Sequence, residues 1–220
     1  MEPLSFALIG RSGCGKGTQA DLLMKHFGNL FYVSTGGLLR DLAKLDTSAG
    51  KSAKKIMEEG KLIPDFMVIG LWMRELNVNL KEGEGALFDG AFRRLIEAQQ
   101  ADEYFNFLGR NNNFFPILID ISKEEAYDRL TKRRICKDCK KIIPYVGEYK
   151  TMEKCDKCAG VLLHRPDDNP EAINNRLAYF DNEVVEVLEY YKKDNRLITI
   201  NGEQSIEKVF EDILKAVEKR

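Results

Sequence analysis

Apolar positions along this chain follow two registers. Leu4-Ser5-Phe6-Ala7-Leu8-Ile9, Leu30-Phe31-Tyr32-Val33, Ala86-Leu87-Phe88, Phe115-Pro116-Ile117-Leu118-Ile119 and Leu197-Ile198-Thr199-Ile200 are short, nearly continuous runs with the length of strands buried on both faces. Between them apolar residues recur at helical spacing. The last helix is the clearest: Ile206, Val209, Phe210, Ile213, Leu214 and Val217 form one stripe, with Glu207, Lys208, Glu211 and Asp212 mostly facing out. Strands alternating with helices predict an α/β fold with a parallel sheet and helices on both of its faces. Trp72 and Met73, inside Phe66-Met67-Val68-Ile69-Gly70-Leu71-Trp72, read as packing rather than recognition.

With 220 residues, 44% of them hydrophobic, the chain suffices for one main domain with small excursions from it. Its 34 Lys and Arg balance 35 Asp and Glu, so no global positive field draws it to nucleic acid or to an anionic membrane. Any anion site must be local. Met1-Glu2-Pro3 runs straight into the first strand and no apolar run approaches membrane-spanning length, so the expectation is a soluble, cytoplasmic protein. Thiols stay reduced there, which makes the five cysteines ligands or bystanders rather than disulfides.

Gly10-Arg11-Ser12-Gly13-Cys14-Gly15-Lys16-Gly17-Thr18 sits where the first strand turns into a helix. This is where a phosphate cradle forms: glycines let backbone N–H groups converge on one anion, the helix N-terminus adds its dipole, and Lys16 brings a mobile cation to the β- and γ-phosphates. The pattern predicts a P-loop for a nucleoside triphosphate. In the general motif Ser or Thr follows the Lys directly and holds Mg²⁺; here Gly17 intervenes before Thr18.

A second signal is Cys136-Lys137-Asp138-Cys139, then fifteen residues, then Cys155-Asp156-Lys157-Cys158. Two such knuckles can close a tetrahedral Cys₄ zinc site with no open position, so the expected metal is structural and folds a Lys-rich excursion poor in apolar residues. Cys14 is left over. His164 is surplus to a complete ligand set and His26 ends a helical pattern, so both read as surface residues.

Arginines supply a third set: Arg40 after Ser34-Thr35-Gly36-Gly37, Arg93 and Arg94 after Phe88-Asp89-Gly90, Arg129, Arg133 and Arg134 before the first knuckle, Arg165 and Arg176 after the second. Each alone reads as a solvated charge. Together, in a nucleotide-binding chain, they read as a clamp, because phosphoryl transfer asks for positive charge around the moving group and little covalent chemistry. Asp89, at a strand's C-terminal end, is the natural carboxylate for Mg²⁺ or its waters. In Asp167-Asp168-Asn169-Pro170, Asn169 reads as a helix cap with Pro170 at the first helical position.

These residues, with Gly60-Lys61-Leu62-Ile63 and Arg176-Leu177, occur in an order that resembles the adenylate kinases, specifically the bacterial type with a zinc-bearing lid, over essentially the whole chain. The resemblance implies the P-loop nucleoside monophosphate kinase fold: a five-stranded parallel sheet flanked by helices in a single core over 1–220. It also implies an acceptor-nucleotide insert at 34–64, a zinc-bearing lid at 132–168, and the reaction ATP + AMP = 2 ADP with Mg²⁺. By position, it assigns Gly13, Cys14, Gly15, Lys16, Gly17 and Thr18 to the donor phosphates, Arg129 and Arg133 to ATP, and the backbone of Gln204 to the ATP adenine. Arg40 and Arg93 would grip the acceptor phosphate and Arg165 and Arg176 bridge the nucleotides, while Thr35, Lys61, Leu62, Ile63 and Gly90 line the acceptor site. Lys16, Asp89, Arg93, Arg133, Arg165 and Arg176 then carry catalysis, and Cys136, Cys139, Cys155 and Cys158 hold Zn²⁺. The implied partners are nucleotides alone, with neither nucleic acid nor membrane, and the chain is expected to be a monomer.

Four positions depart from the family pattern. Ser12 replaces a proline, which should loosen the phosphate loop. Gly37 stands where Asp is usual, leaving Asp89 more of the Mg²⁺ support. Ala91-Phe92 replaces Phe-Pro, so the loop before Arg93 is expected to run differently. Glu97 takes the place of the glutamine that reads the acceptor adenine; an ionised carboxylate offers acceptors only, and Gln100, one turn on, could supply the amide instead. Another nucleoside monophosphate kinase, using GMP or a pyrimidine, is the alternative reading. A zinc-ribbon nucleic-acid-binding ATPase is a more distant one, disfavoured by the charge balance and by the lack of aromatics around the cysteines.

Overall fold

The five apolar runs become five strands of one parallel sheet. The computed structural model describes residues 2–59, 61–90, 92–165 and 168–220; Gly60, Ala91 and Asp167, each part of a motif read above, lie outside the described residues. From the N-terminus run β1 (Ser5–Ile9), α1 (Lys16–Phe27), β2 (Leu30–Ser34), α2 (Thr35–Lys44), α3 (Ser48–Glu58), α4 (Asp65–Asn79), β3 (Gly85–Asp89), α5 (Leu95–Phe107), β4 (Phe114–Asp120) and α6 (Lys123–Lys132). Then come three short strands, β5 (Arg134–Cys136), β6 (Ile142–Ile143) and β7 (Leu162–His164), before α7 (Pro170–Tyr179), α8 (Val185–Lys193), β8 (Ile198–Asn201) and α9 (Ile206–Glu218).

The main sheet has the order β2-β3-β1-β4-β8, with every neighbouring pair parallel. After β1 the chain fills one side of the sheet with β2 and β3, then crosses to the other for β4 and β8. The connections therefore part at the C-terminal end of β1, where an α/β sheet opens its ligand crevice. Alternate residues of β1 serve opposite faces. Ala7 and Ile9 join a layer with Trp72, Phe88, Phe105, Phe114 and Tyr191, while Phe6 and Leu8 join one with Leu23, Ile117, Leu177 and Ile213. Trp72 is fully buried and edge-on to Phe88 at 5.6 Å between centroids, as its core reading predicts. In α9 the expected stripe is buried at Val209, Ile213 and Val217.

Helix starts follow their caps. The side chains of Ser34, Thr47, Ser122, Asn169 and Ser205 each accept the backbone N–H three residues on, and each such cap stabilises its helix by about 0.5–2 kcal/mol. Asn169 and Pro170 thus play the parts read from sequence. Between α7 and α8, Phe180–Val184 forms a π-helical turn that the apolar pattern did not foretell.

The segment between α6 and α7 builds its own small antiparallel sheet, β6-β5-β7. No apolar run announced it, because its strands are two or three residues long. Ile143 is fully buried, whereas Ile142, Val161 and Leu163 are exposed, so this sheet has almost no core of its own. His164 is exposed at the end of β7, as expected. His26 is exposed too, though its ring also packs edge-on against Phe27 and Phe210.

Candidate active site

The phosphate loop joins β1 to α1 at the crevice. Two glycines are required by geometry: Gly15 has φ 103° immediately before α1, and at Gly10, with φ 149°, a Cβ would fall 2.5 Å from the Ile119 carbonyl oxygen. No side chain caps α1, so its first N–H groups face the crevice for an anion. Cys14 differs from its assignment in one respect: its N–H donates to the Arg11 carbonyl at 3.1 Å and closes the loop, while its thiol is buried behind Gly10. Lys16 lies over the loop, its Nζ donating to the carbonyls of Gly10 at 2.7 Å and Arg11 at 3.0 Å.

Arg11 braces this loop, in which Ser12 stands in place of the family's proline. The Arg11 guanidinium donates to the Ile121 carbonyl at 3.0 Å and to Asp181 at 2.8 Å, and it stacks on the Phe180 ring 4.5 Å from its centroid. The phosphate loop is thereby tied to the end of β4 and to the π-helical turn.

On the donor side, Arg129 is 6% exposed, its Nε held by Glu125 at 2.6 Å and its Nη2 donating to the Gly202 carbonyl at 3.0 Å. It lines a cleft with Gly13, Cys14, Gly15, Thr18 and Gln204, which the resemblance assigns to ATP, and with Gly202, which it does not. Gln19, Pro144 and Val146 line it as well. Pro144 and Val146 come from the segment after β6, so the small sheet closes over this cleft.

The expected clamp assembles around Asp168, whose side chain is 3% exposed. Arg133 grips it with two hydrogen bonds of 2.8 Å, and Arg176 adds a third at 2.8 Å to the same carboxylate. Arg165 lies within electrostatic reach of Arg133, and Arg93 within reach of Arg176 and Asp89. Burial would push the Asp168 carboxyl up, yet Arg133 and Arg176 hold it below the usual carboxylate range. A carboxyl so depressed contributes stability that is fully present above its unfolded value and is lost only as pH falls through the lower folded value. Asp168 is therefore expected to be more than half ionised at the ordinary aspartate midpoint of about 3.9, which a carbon-detected NMR titration of its carboxyl checks. Asp168→Asn is expected to lower kcat by about ten- to a hundredfold, about 1.4–2.8 kcal/mol of barrier, read at saturating nucleotides.

Asp89 ends β3 opposite Leu8 in the register with β1. Its Oδ2 accepts the Tyr32 hydroxyl at 2.8 Å and lies 3.6 Å from where a Gly17 Cβ would stand, over the start of α1. Burial, then Asp89, push the Tyr32 hydroxyl upward, so it remains a donor. A carboxylate oxygen over the start of α1 is a hard donor of the kind Mg²⁺ prefers.

The acceptor side spreads over three elements. Thr35 opens α2, buried, with no hydrogen-bond partner for its Oγ1 among the described residues. Arg40 is exposed on the same helix and folds back over Gly36. At Gly37 the N–H donates to the Ser34 cap, so the missing aspartate leaves the helix start intact. Lys61 is exposed and paired with Glu59 at 2.8 Å, Leu62 is half-buried and Ile63 buried. Gly90 has φ 76° and precedes the turn to Arg93, a half-buried side chain whose guanidinium burial pushes downward while Glu97 pulls it back. Glu97 is 3% exposed, and its Oε2 accepts the Phe92 N–H at 3.1 Å. Burial pushes its carboxyl up, and Arg93 and the Phe92 N–H draw it back. Gln100 is half-buried and donates to Glu103 at 2.9 Å.

The four lid cysteines gather as the spacing predicts. Their sulfurs lie within 4.8 Å of one another, with Cys136 and Cys158 3.5 Å apart and Cys139 and Cys155 3.6 Å apart. A tetrahedron of thiolates about 2.3 Å from a metal has edges close to these, so the four sulfurs fit one ion. The knuckles are twins. The N–H of Lys140 returns to the Cys136 carbonyl and that of Ala159 to the Cys155 carbonyl, with φ 60° and 56° at the two returning residues.

A family model described as Adenylate kinase matches residues 8–196. The adenylate kinase of Methanocella arvoryzae is 38% identical over 217 residues, covering 98% of this chain and 99% of that protein. That of Methanothrix thermoacetophila is 35% identical over 216 residues, with 98% and 99% covered, and that of a Geobacillus species 37% over 211 residues, with 96% of each covered. The chain belongs to the adenylate kinase family. It is a nucleotide-binding transferase, a nucleoside monophosphate kinase, and its four gathered cysteines, which could hold one metal ion, are consistent with the type that carries a zinc-bearing lid. No helix among the described residues is long and apolar enough to cross a membrane.

Sequence reasoning passed over several residues of this adenylate kinase site. Asp168 was read beside a helix cap, not as the anion shared by two arginines. Arg11 received no reading of its own, and nothing in Pro144 or Val146 marked them as a wall of the donor cleft.

Proposed function

We propose that this chain transfers the terminal phosphoryl group of ATP to AMP, giving two ADP, reversibly and with Mg²⁺. The observation that carries the reading is the arginine cluster around Asp168, with Arg93 in electrostatic reach of Arg176. The loop and Lys16 hold the donor phosphates; Arg129 and the Gly202–Gln204 backbone form the donor adenine side. Thr35, Arg40, Lys61, Leu62, Ile63, Gly90 and Arg93 receive the acceptor. Arg133, Arg165 and Arg176 lie between them, where charge spreads over the oxygens of the moving phosphoryl group.

Asp89 and Thr18 would orient Mg²⁺, which when bound neutralises phosphate charge. Residues 34–64 and 132–168 act as the inserts that close on the two nucleotides and exclude water, so that AMP rather than hydroxide takes the phosphoryl group. Zinc in the Cys₄ cluster is structural, since four thiolates leave it no open position. The enzyme works as a monomer on free nucleotides in the cytoplasm, where these thiols remain available to the metal. A coupled ADP-formation assay with ATP and each monophosphate in turn tests the reading. AMP is expected to give the highest kcat/KM; a higher value for GMP or a pyrimidine would change the substrate and leave the phosphoryl-transfer chemistry standing.

A further inference from the structure

We propose that Glu97 is a positioning residue for Arg93: its buried carboxylate holds the Phe92–Arg93 turn by its backbone, aims Arg93 at the acceptor phosphate, and does not read the acceptor base. The inference rests on the proposed AMP kinase reading, and it concerns how this chain accommodates a turn that departs from its relatives.

Phe92 carries the difficulty. It adopts φ 60°, a conformation costly for a residue with a Cβ, and its ring is fully buried against Phe88 and Phe114, with centroids 5.1 and 6.1 Å away. Its N–H is buried with it. A proline at this position would bring no N–H, but phenylalanine brings one, and an unmatched buried donor costs about 1–3 kcal/mol. Glu97 meets that need: it lies in the first turn of α5, accepts the Phe92 N–H at 3.1 Å, and is further stabilised by the backbone N–H of Arg93. An acidic side chain in the first turn of a helix is favoured by the helix dipole, and here it reaches past the cap position, Arg94, to the Phe92 N–H two residues earlier. No side chain of Arg94, at the cap position, competes for the role.

Charge points the same way. The Arg93 guanidinium has Arg176 for a neighbour, a like charge, together with Asp89, Tyr179 and Glu97. Of these anions Glu97 pulls on the guanidinium most, and it stands on the helix that follows the turn. With 3% of its surface exposed and its Oε2 accepting the Phe92 N–H, it is committed to the turn rather than to an incoming base.

The test separates phosphate from base. Glu97→Gln keeps the shape but removes the negative charge beside Arg93 and leaves one acceptor oxygen where the carboxylate has two. Steady-state KM is measured for AMP and for ATP, together with Ki against AMP for ribose 5-phosphate, which carries the acceptor's phosphate without a base. The expected result is a rise of about tenfold, by the same factor, in KM for AMP and in Ki for ribose 5-phosphate, with KM for ATP within about twofold. A change confined to AMP, with ribose 5-phosphate unaffected, would assign Glu97 to the base and overturn the proposal. So would unchanged constants throughout, or an equal rise in KM for ATP, which means general loosening. Should the glutamine variant fail to fold, Glu97→Asp, which retains the charge but falls one methylene short of the turn, is held to the same outcomes. A wild-type enzyme that does not phosphorylate AMP removes the underlying reading before any variant is compared.

Discussion

Lys16→Met is expected to abolish phosphoryl transfer, lowering kcat by about 10³-fold or more, about 4 kcal/mol of barrier, with the fold intact. Of the two cations in the phosphate loop, Arg11 is committed to Asp181 and the Ile121 carbonyl, which leaves Lys16 for the phosphates; its Nζ now rests on the carbonyls of Gly10 and Arg11. These are contacts of the loop with itself, which a phosphate oxygen can replace without disturbing the core. In the transition state the same ammonium meets oxygens that gain charge, so its loss falls on kcat more than on the affinity for ATP. The arginines cannot substitute, since Arg133 and Arg176 are committed to Asp168 and reach the site from the other side. Steady-state rates and circular dichroism check both halves of the expectation; activity within about tenfold of wild type would refute the assignment of the loop.

Stripping the metal is expected to lower the melting temperature by more than about 10 °C while sparing kcat in the cold. Structural zinc sites contribute about 10–16 kcal/mol of apparent binding energy, and in this sheet little else is available. Ile143 is the only fully buried aliphatic side chain among its three strands, and Ile142, Val161 and Leu163 face solvent. The Cys139 backbone N–H draws the Cys136 thiol down to about 7, which favours the thiolate a metal needs. The arginine clamp lies outside the knuckles, so kcat survives, whereas KM for ATP rises because Pro144 and Val146 no longer wall the donor cleft. Metal analysis is expected to find about one zinc ion per chain. A melting curve indifferent to a chelator would show that the cysteines hold no structural metal.

What the sequence made legible was what repeats at short range. Glycine spacing between a strand and a helix exposed the phosphate loop, paired knuckles exposed the metal site, and period-two and period-3.6 patterns exposed the main sheet and α9. What it hid depends on which distant groups meet. Asp168 and Arg133 are 35 positions apart, Arg11 and Asp181 are 170 apart, and no local pattern marks either pair. Glu97 is a related case: a position in a motif fixes where a side chain begins, while a distant group, here the Phe92 N–H five residues earlier, decides where it ends. The small sheet escaped because its order comes from four sulfurs rather than from apolar surface.

The bidentate pair between Arg133 and Asp168 does more than gather charge. It joins the first and last residues of the excursion between α6 and α7, clasping it at the neck. Whatever lies beyond such a clasp is topologically a side loop, and doubling the length of a closed loop costs only about 0.6 kcal/mol. The core therefore does not register the length or content of what hangs from it. A lid of different length, with or without cysteines, could be grafted at this neck without disturbing the order of the five-stranded sheet, which makes the excursion the part of the molecule freest to change by insertion, deletion or exchange.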